Sequence, residues 1–154
     1  MSLVWYFAYG RNVDPSILSN RIRSKPLLIH RGILPGYCIE FTKTPGPTSE
    51  TGWATIVPCA KEWVEGALYL ISSDQLNLLD RCEGYPHHYT REEVLVWNID
   101  LSEWVSAITY IAVNRDPRLK PPRRYLETII KAAKTLKLSS PWISKLEKAL
   151  NEAI

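Results

Sequence analysis

Apolar positions along this chain change their period part-way. Leu3–Tyr9 is a short unbroken apolar run closed by Gly10, the pattern of a buried strand entering a turn. Arg31–Phe41 carries Leu34, Tyr37, Ile39 and Phe41, with odd positions apolar toward its end. A loop rich in Pro, Gly, Thr and Ser (Thr42–Gly52) separates it from a further run at Trp53–Val57. Trp63–Ile71, Glu93–Ile99 and Val105–Val113 are rich in β-branched and aromatic residues and alternate in polarity. These segments predict about six strands at short spacing, hence a small closed barrel or strongly curved mixed sheet.

Helical spacing interrupts the strands and then takes over. Asp14-Pro15 reads as an N-cap followed by proline at the first helical position, opening a helix through about Arg21. Ser73-Asp74-Gln75-Leu76 begins a second short helix, with Leu76, Leu79 and Asp80 on adjacent turns. After Pro121-Pro122, the residues Tyr125, Ile129, Ile130, Ala133 and Leu136 recur at helical spacing. Trp142, Leu146 and Leu150 do so again after Ser140-Pro141. No internal repeat or low-complexity linker is visible. The pattern predicts one α+β domain over residues 1–154, with flanking helices and a helical C-terminal part.

Composition narrows the function more than the fold. A chain of 154 residues can bury a sizeable core, and its 45% apolar and 23% charged content is ordinary for a soluble globular protein. A net charge of +3 is too small to imply nucleic acid. No apolar run approaches the roughly 20 residues that a membrane span needs. The start, Met1-Ser2-Leu3-Val4-Trp5, lacks a basic stretch and a cleavage site, so no signal peptide is expected. Cys38, Cys59 and Cys82 form an odd, widely spaced set, which argues for a reducing cytoplasm and against a disulfide framework or a cysteine metal site.

Two segments carry candidate chemistry. At Tyr9-Gly10-Arg11-Asn12, a glycine after a strand lets the backbone approach a ligand, and its N–H groups can hold a carboxylate or an oxyanion. At Leu79-Asp80-Arg81-Cys82-Glu83-Gly84-Tyr85-Pro86, one carboxylate sits among apolar residues, where desolvation would raise its pKa toward that of a useful base. Together they suggest an enzyme acting on a small carboxylate-bearing substrate.

These segments belong to an ordered series that resembles the gamma-glutamylcyclotransferase-like (AIG2-like) superfamily. Tyr6-Phe7-Ala8-Tyr9-Gly10-Arg11-Asn12 resembles its opening Tyr-Phe-Ala-Tyr-Gly-Ser-Asn. Leu34-Pro35-Gly36-Tyr37 with Phe41, Gly52-Trp53-Ala54-Thr55-Ile56 and Val64-Glu65-Gly66-Ala67-Leu68-Tyr69 are similar to three of its strands. The Leu79–Pro86 segment with Tyr89, then Ala107-Ile108-Thr109-Tyr110 and Pro121-Pro122-Arg123-Arg124-Tyr125-Leu126, complete the series in order. Arg11 stands where the family usually has Ser or Thr, and Pro122 where it usually has Ser. The resemblance implies a cyclotransferase that releases 5-oxoproline from a gamma-glutamyl amino acid, amine or peptide. It implies Glu83 as general acid/base and Tyr9, Gly10, Arg11, Asn12, Tyr89 and Tyr125 around the substrate. No metal or other cofactor is implied, and the only partner is the small-molecule substrate, with no nucleic acid or membrane. The expected state is a cytoplasmic monomer or homodimer.

Other residues attract less chemistry. Asp80 is expected to cap or brace its loop. His87-His88 and the lone His30 lack further ligands at metal-binding spacing and are read as surface or loop-packing residues. The basic stretch Arg115–Arg124 contains prolines and too few aromatics for a stacking platform, so it is read as a solvated loop rather than an RNA contact. The alternative function is a catalytically inactive small-ligand-binding module of the same fold, with Arg11 blocking or repurposing the cavity.

Overall fold

The computed structural model describes residues 2–154 and contains five strands and four α-helices. In chain order these are β1 (Leu3–Ala8), α1 (Pro15–Ile22), β2 (Leu28–Lys43), β3 (Trp53–Ser72), α2 (Ser73–Glu83), β4 (Tyr89–Asn98), β5 (Glu103–Ala112), α3 (Arg123–Leu136) and α4 (Ser140–Ala149). A 3-10 turn at Arg11–Val13 joins β1 to α1. The strands close a barrel in the order β1-β3-β2-β4-β5. All pairings are antiparallel except the closing one, where Trp5 and Tyr6 of β1 meet Ala107 and Ile108 of β5 in parallel. A mixed closed barrel leaves few free edges, which suits a small sheet that must not pair with other chains.

Five strands replace the six expected. The runs at Trp53–Val57 and Trp63–Ile71 are one continuous strand, β3, which pairs with β2 along most of its length. The polar interval that separated them, Pro58–Glu62, is exposed or half-buried and needs no apolar alternation. Register shifts between Pro35 and Tyr37 and between Glu40 and Lys43 bend the long hairpin.

The hairpin also corrects the reading of the cysteines. Tyr37 pairs with Pro58 and Cys38 with Val57, which brings Cys38 beside Cys59 with a Cα–Cα distance of 5.4 Å, and the two are disulfide-bonded. Twenty-one residues of separation looked wide in sequence but is short across a hairpin. The cysteine pattern therefore no longer argues for a reducing compartment. Cys82 is free and exposed.

Side-chain alternation sorts the core into two clusters. Phe7, Tyr9, Ile56, Leu68, Val94 and Val96 pack with Leu126, Ile129 and Ile130 of α3 and Trp142 and Leu146 of α4. Their β1 and β3 neighbours Tyr6, Ala8, Ala67, Tyr69 and Ile71 pack instead with Leu18 and Ile22 of α1 and Leu76 and Leu79 of α2. Each fully buried aliphatic side chain contributes roughly 1.5–3 kcal/mol, so a helix presenting three of them is held mainly by this face. Glu65, 2% exposed, ties β3 to α4 by accepting from the Ser139 N–H, the Ser139 hydroxyl and the indole N–H of Trp63. Among the described residues, no helix is long and apolar enough to cross a membrane.

Helix starts follow their caps. Asp14 accepts from the Ser16 N–H at 2.9 Å ahead of Pro15, as expected. Ser72 forms a reciprocal capping box with Gln75, which fixes α2 directly onto the end of β3. Pro122 sits at the N-cap of α3 and supplies no side-chain cap, whereas a serine there would. Three residues of the basic stretch before and into α3 find partners within the chain. Arg115 pairs with Glu40, Arg118 with Asp116, and Arg123 donates to the Leu150 carbonyl.

The capping box gives a test of this geometry. Ser72→Ala is expected to cost about 1 kcal/mol and to lower the melting temperature by roughly 2–4 °C, measured by thermal denaturation.

Candidate active site

Ala8 at the end of β1, Lys43 at the end of β2, Tyr89 at the start of β4 and Tyr110 near the end of β5 all lie toward one end of the barrel. The C-terminus of α2 and the N-terminus of α3 meet them there, around a cavity of about 520 Å³. The seven residues singled out from sequence, Tyr9, Gly10, Arg11, Asn12, Glu83, Tyr89 and Tyr125, all line it. Pro122 does not; its place is the helix cap.

The 3-10 turn is anchored from below. The Tyr69 hydroxyl, on β3, donates to the carbonyls of Asn12 at 2.7 Å and Val13 at 3.0 Å. That leaves the first N–H groups of the turn, at Gly10, Arg11 and Asn12, without an acceptor among the described residues, as the start of any helix does. Gly10 has φ −101°, so it is not needed for a left-handed conformation. The space beside it is tight: a Cβ there would lie 3.3 Å from the Tyr125 hydroxyl, which would have to give by a few tenths of an ångström, and in ordinary contact with the Ala54 Cβ at 3.4 Å. Arg11 is exposed at the cavity wall and does not close it.

Glu83 is the last residue of α2, and Gly84 ends that helix in the left-handed region at φ +64°. A Cβ at Gly84 would be both strained and 2.6 Å from His88. The turn folds back as His87 and His88 donate N–H bonds to the Gly84 carbonyl, both at 2.8 Å. Asp80 braces it, as expected: it accepts from the Tyr110 hydroxyl at 2.7 Å and pairs with Arg91, whose guanidinium lies over the Tyr85 ring. Consequently Glu83 is not a solvated turn residue; its side chain is 15% exposed.

Three groups hold the Glu83 carboxylate. Asn12 Nδ2 donates to Oε1 at 3.1 Å and to the Tyr6 hydroxyl at 3.0 Å. Arg21 of α1 approaches the same oxygen at 3.3 Å, and Lys43 acts on it through space. Burial raises the Glu83 pKa, while Arg21, Asn12 and Lys43 lower it; the balance settles above the ordinary value. The negative end of the α2 dipole works in the same direction as burial. Burial thus favours the neutral form of this carboxyl while the cations and Asn12 favour its anion.

Tyrosines complete the wall. Ala54 is gripped by two of them: the Tyr89 hydroxyl donates to its carbonyl at 2.7 Å, and its N–H donates to the Tyr125 hydroxyl at 3.2 Å. The Tyr9 hydroxyl donates to the Tyr110 carbonyl at 2.5 Å. Burial raises the pKa of all five cavity tyrosines, Tyr6, Tyr9, Tyr89, Tyr110 and Tyr125, with Glu83 adding to it, so they stay neutral. Sequence reasoning missed Arg21, Lys43, Trp53 and Tyr110, and it placed His88 in loop packing although it borders the cavity. Arg21 and Lys43 stand alone in elements whose local pattern explains them without a ligand, whereas Trp53 and Tyr110 lie in segments of the ordered motif series without having been singled out. Among the described residues, no three His, Cys, Asp or Glu side chains group as a metal site.

A family model described as gamma-glutamyl cyclotransferase, AIG2-like, matches residues 6–128, most of the chain. The chain belongs to this family. A solved gamma-glutamyl cyclotransferase is 26% identical with a TM-score of 0.84, covering 95% of this chain and 87% of that one. An uncharacterised protein from Homo sapiens is 27% identical with a TM-score of 0.81, covering 96% and 88%. Gamma-glutamyl cyclotransferase gliK of Aspergillus fumigatus is 39% identical over 59 residues, which is 38% of this chain. The chain spans 21% of the length of that curated relative in this match. The family's fold is the closed mixed barrel with flanking helices described above.

The raised pKa of Glu83 has a stability signature. A folded-state pKa above the unfolded one means that the folded protein holds the proton more tightly. Ionising Glu83 therefore costs stability as pH rises past its ordinary value of 4.5, and the cost is complete above the folded pKa. Between about pH 4 and about pH 8, native protein is expected to lose melting temperature relative to Glu83→Gln, which has no such ionisation. Parallel pH–melting curves for the two proteins would contradict the raised pKa.

Proposed function

We propose that this protein is a gamma-glutamyl cyclotransferase that releases 5-oxoproline from a gamma-glutamyl amino acid, amine or peptide. The single observation that carries this reading is the burial of Glu83, 15% exposed, in one cavity with the amide-bearing turn at Gly10–Asn12, whose Asn12 side chain it touches. Family membership and the likeness to a solved gamma-glutamyl cyclotransferase support it.

Each wall of the cavity then has its own part in the chemistry. The substrate's α-carboxylate sits on the N–H groups of the turn, with the Arg11 side chain available for a charge-assisted bond. Its α-ammonium then faces Glu83, which takes one proton and frees the amine to attack the γ-carbonyl carbon. A C–N bond forms and closes a five-membered ring; the bond from that carbon to the leaving nitrogen breaks. Glu83 returns that proton to the leaving nitrogen, and the second proton shed by the ring nitrogen passes by the same carboxylate to the departing amine, so the carboxylate is regenerated and the products are 5-oxoproline and the leaving portion as its ammonium ion. Because nucleophile and electrophile belong to one molecule, placement in a near-attack conformation supplies much of the acceleration. Neutral tyrosines wall the cavity, and Arg21 and Asn12 keep the carboxylate oriented between its two states. No step draws on a metal or another cofactor. Residues 1–154 act as one catalytic domain, with no nucleic-acid or membrane partner, as a monomer or homodimer.

The experiment is 5-oxoproline release from a panel of gamma-glutamyl compounds by native protein and Glu83→Gln. The variant is expected to keep its circular dichroism spectrum and lose about 10²–10⁴-fold in turnover, the range for losing a general base. Undiminished turnover by Glu83→Gln would remove Glu83 from this role. Ligand-induced stabilisation without product from any compound would instead assign the cavity to binding alone.

A further inference from the structure

Lys43 is an unusual residue for the inside of a protein. It is 4% exposed, yet it forms no ion pair with any carboxylate among the described residues. Buried ammonium groups are costly unless paired, so one that borders a cavity without a partner marks a place where an anion is expected to arrive. Its Nζ donates to the Pro45 carbonyl at 3.2 Å and stands 2.9 Å from His88 Nδ1. An ammonium can only donate, so Nδ1 is the acceptor in this contact. These two contacts use two of the three ammonium protons and leave the third for a ligand.

The wider cavity shows the same imbalance. Arg11, Arg21, Lys43 and Arg81 border it against the single carboxylate of Glu83, and Arg21 is already spent on that carboxylate. Arg11 belongs to the Gly10 turn, whereas Lys43 lies on another wall, above the Tyr89 ring at 5.7 Å from its centre. Three cations are left, Arg11, Lys43 and Arg81, of which only Lys43 is buried, with one anionic position at Glu83. A gamma-glutamyl amino acid has the complementary set: an α-carboxylate, an α-ammonium and a second carboxylate on the portion that leaves. A gamma-glutamyl amine lacks the last of these.

We infer that Lys43, held by Pro45 and His88, is a specificity-determining residue that binds a carboxylate on the leaving portion of the substrate. The inference rests on the cyclotransferase reading of the cavity and narrows it to gamma-glutamyl amino acids and peptides with a free carboxylate. Lysine suits this role because its compact charge meets a carboxylate from several directions, so leaving portions of different shape are accepted. Lys43 exchanges no proton with the substrate, although its charge lowers the Glu83 pKa through space, which is why the test reads an acid-to-amide ratio.

The test compares gamma-glutamyl-alanine with its amide, gamma-glutamyl-alaninamide, which differs only in the second carboxylate. Binding is measured by calorimetry to Glu83→Gln, with and without Lys43→Met, so that the result does not depend on turnover. The acid is expected to bind at least about 10-fold more tightly than the amide, the value of one charge-assisted hydrogen bond. Adding Lys43→Met should bring the ratio to about 1, and adding His88→Ala instead, which leaves the buried ammonium in place, should reduce it about 3-fold. The same ratios are read as kcat/KM in proteins that retain Glu83. An acid-to-amide ratio near 1 before Lys43 is changed, or a ratio that survives Lys43→Met, overturns the assignment. Absence of 5-oxoproline from both compounds overturns the catalytic reading instead, and the binding ratios still decide the role of Lys43.

Discussion

A carboxylate at the end of a helix, with little water around it and cations at two sides, is the constraint around which this end of the barrel is organised. Glu83 reaches its place because α2 begins on the last residue of β3 through the Ser72–Gln75 box and stops at Gly84 in a left-handed turn. Arg21 reaches it from α1, which starts at Asp14, just after the turn that Tyr69 pins to β3. Lys43 reaches the cavity from the end of β2, where a register shift has bent the hairpin. Burial alone would make Glu83 an acid that rarely ionises; cations alone would make it a weak base. With burial the larger of the two, the Glu83 pKa stays above its ordinary value, the direction that a base for an ammonium needs.

The barrel supplies what a loop-built site could not. Tyr9, Tyr89 and Tyr110 lie at or beside strand ends, and their hydroxyls bond across the wall, to the Tyr110 carbonyl, the Ala54 carbonyl and Asp80. Those bonds satisfy buried polar groups and fix the cavity width at the same time. Alternation along β1 divides the work further. Phe7 faces the cluster under α3 and α4, and Tyr6 faces the cluster under α1 and α2, with its hydroxyl turned to Asn12.

Much of this was legible beforehand because it is encoded locally. Asp14-Pro15 and Ser73–Gln75 marked helix starts, and Tyr125 through Leu136 marked a helix face, since caps and helical periods are properties of neighbouring residues. The seven candidate site residues were legible mainly through an ordered motif series and not through any one residue. What escaped is non-local. The continuity of β3 across Pro58–Glu62 depends on its partner β2, and the Cys38–Cys59 bond depends on the register of that hairpin. Arg21 and Lys43 carry no local sign of what they do in the cavity. One looks like the polar face of a helix, the other like the end of a strand. Their meaning comes from the carboxylate, or its absence, beside them.

The proposed chemistry depends most directly on the protonation of one side chain. A carbon-13 NMR titration of glutamate-labelled protein, with the Glu83 carboxyl signal identified by its loss in Glu83→Gln, measures it. The expected midpoint lies clearly above the ordinary value of 4.5. A midpoint at or below that value would show that Arg21, Asn12 and Lys43 outweigh burial, and Glu83 would then be a fixed anion rather than a base.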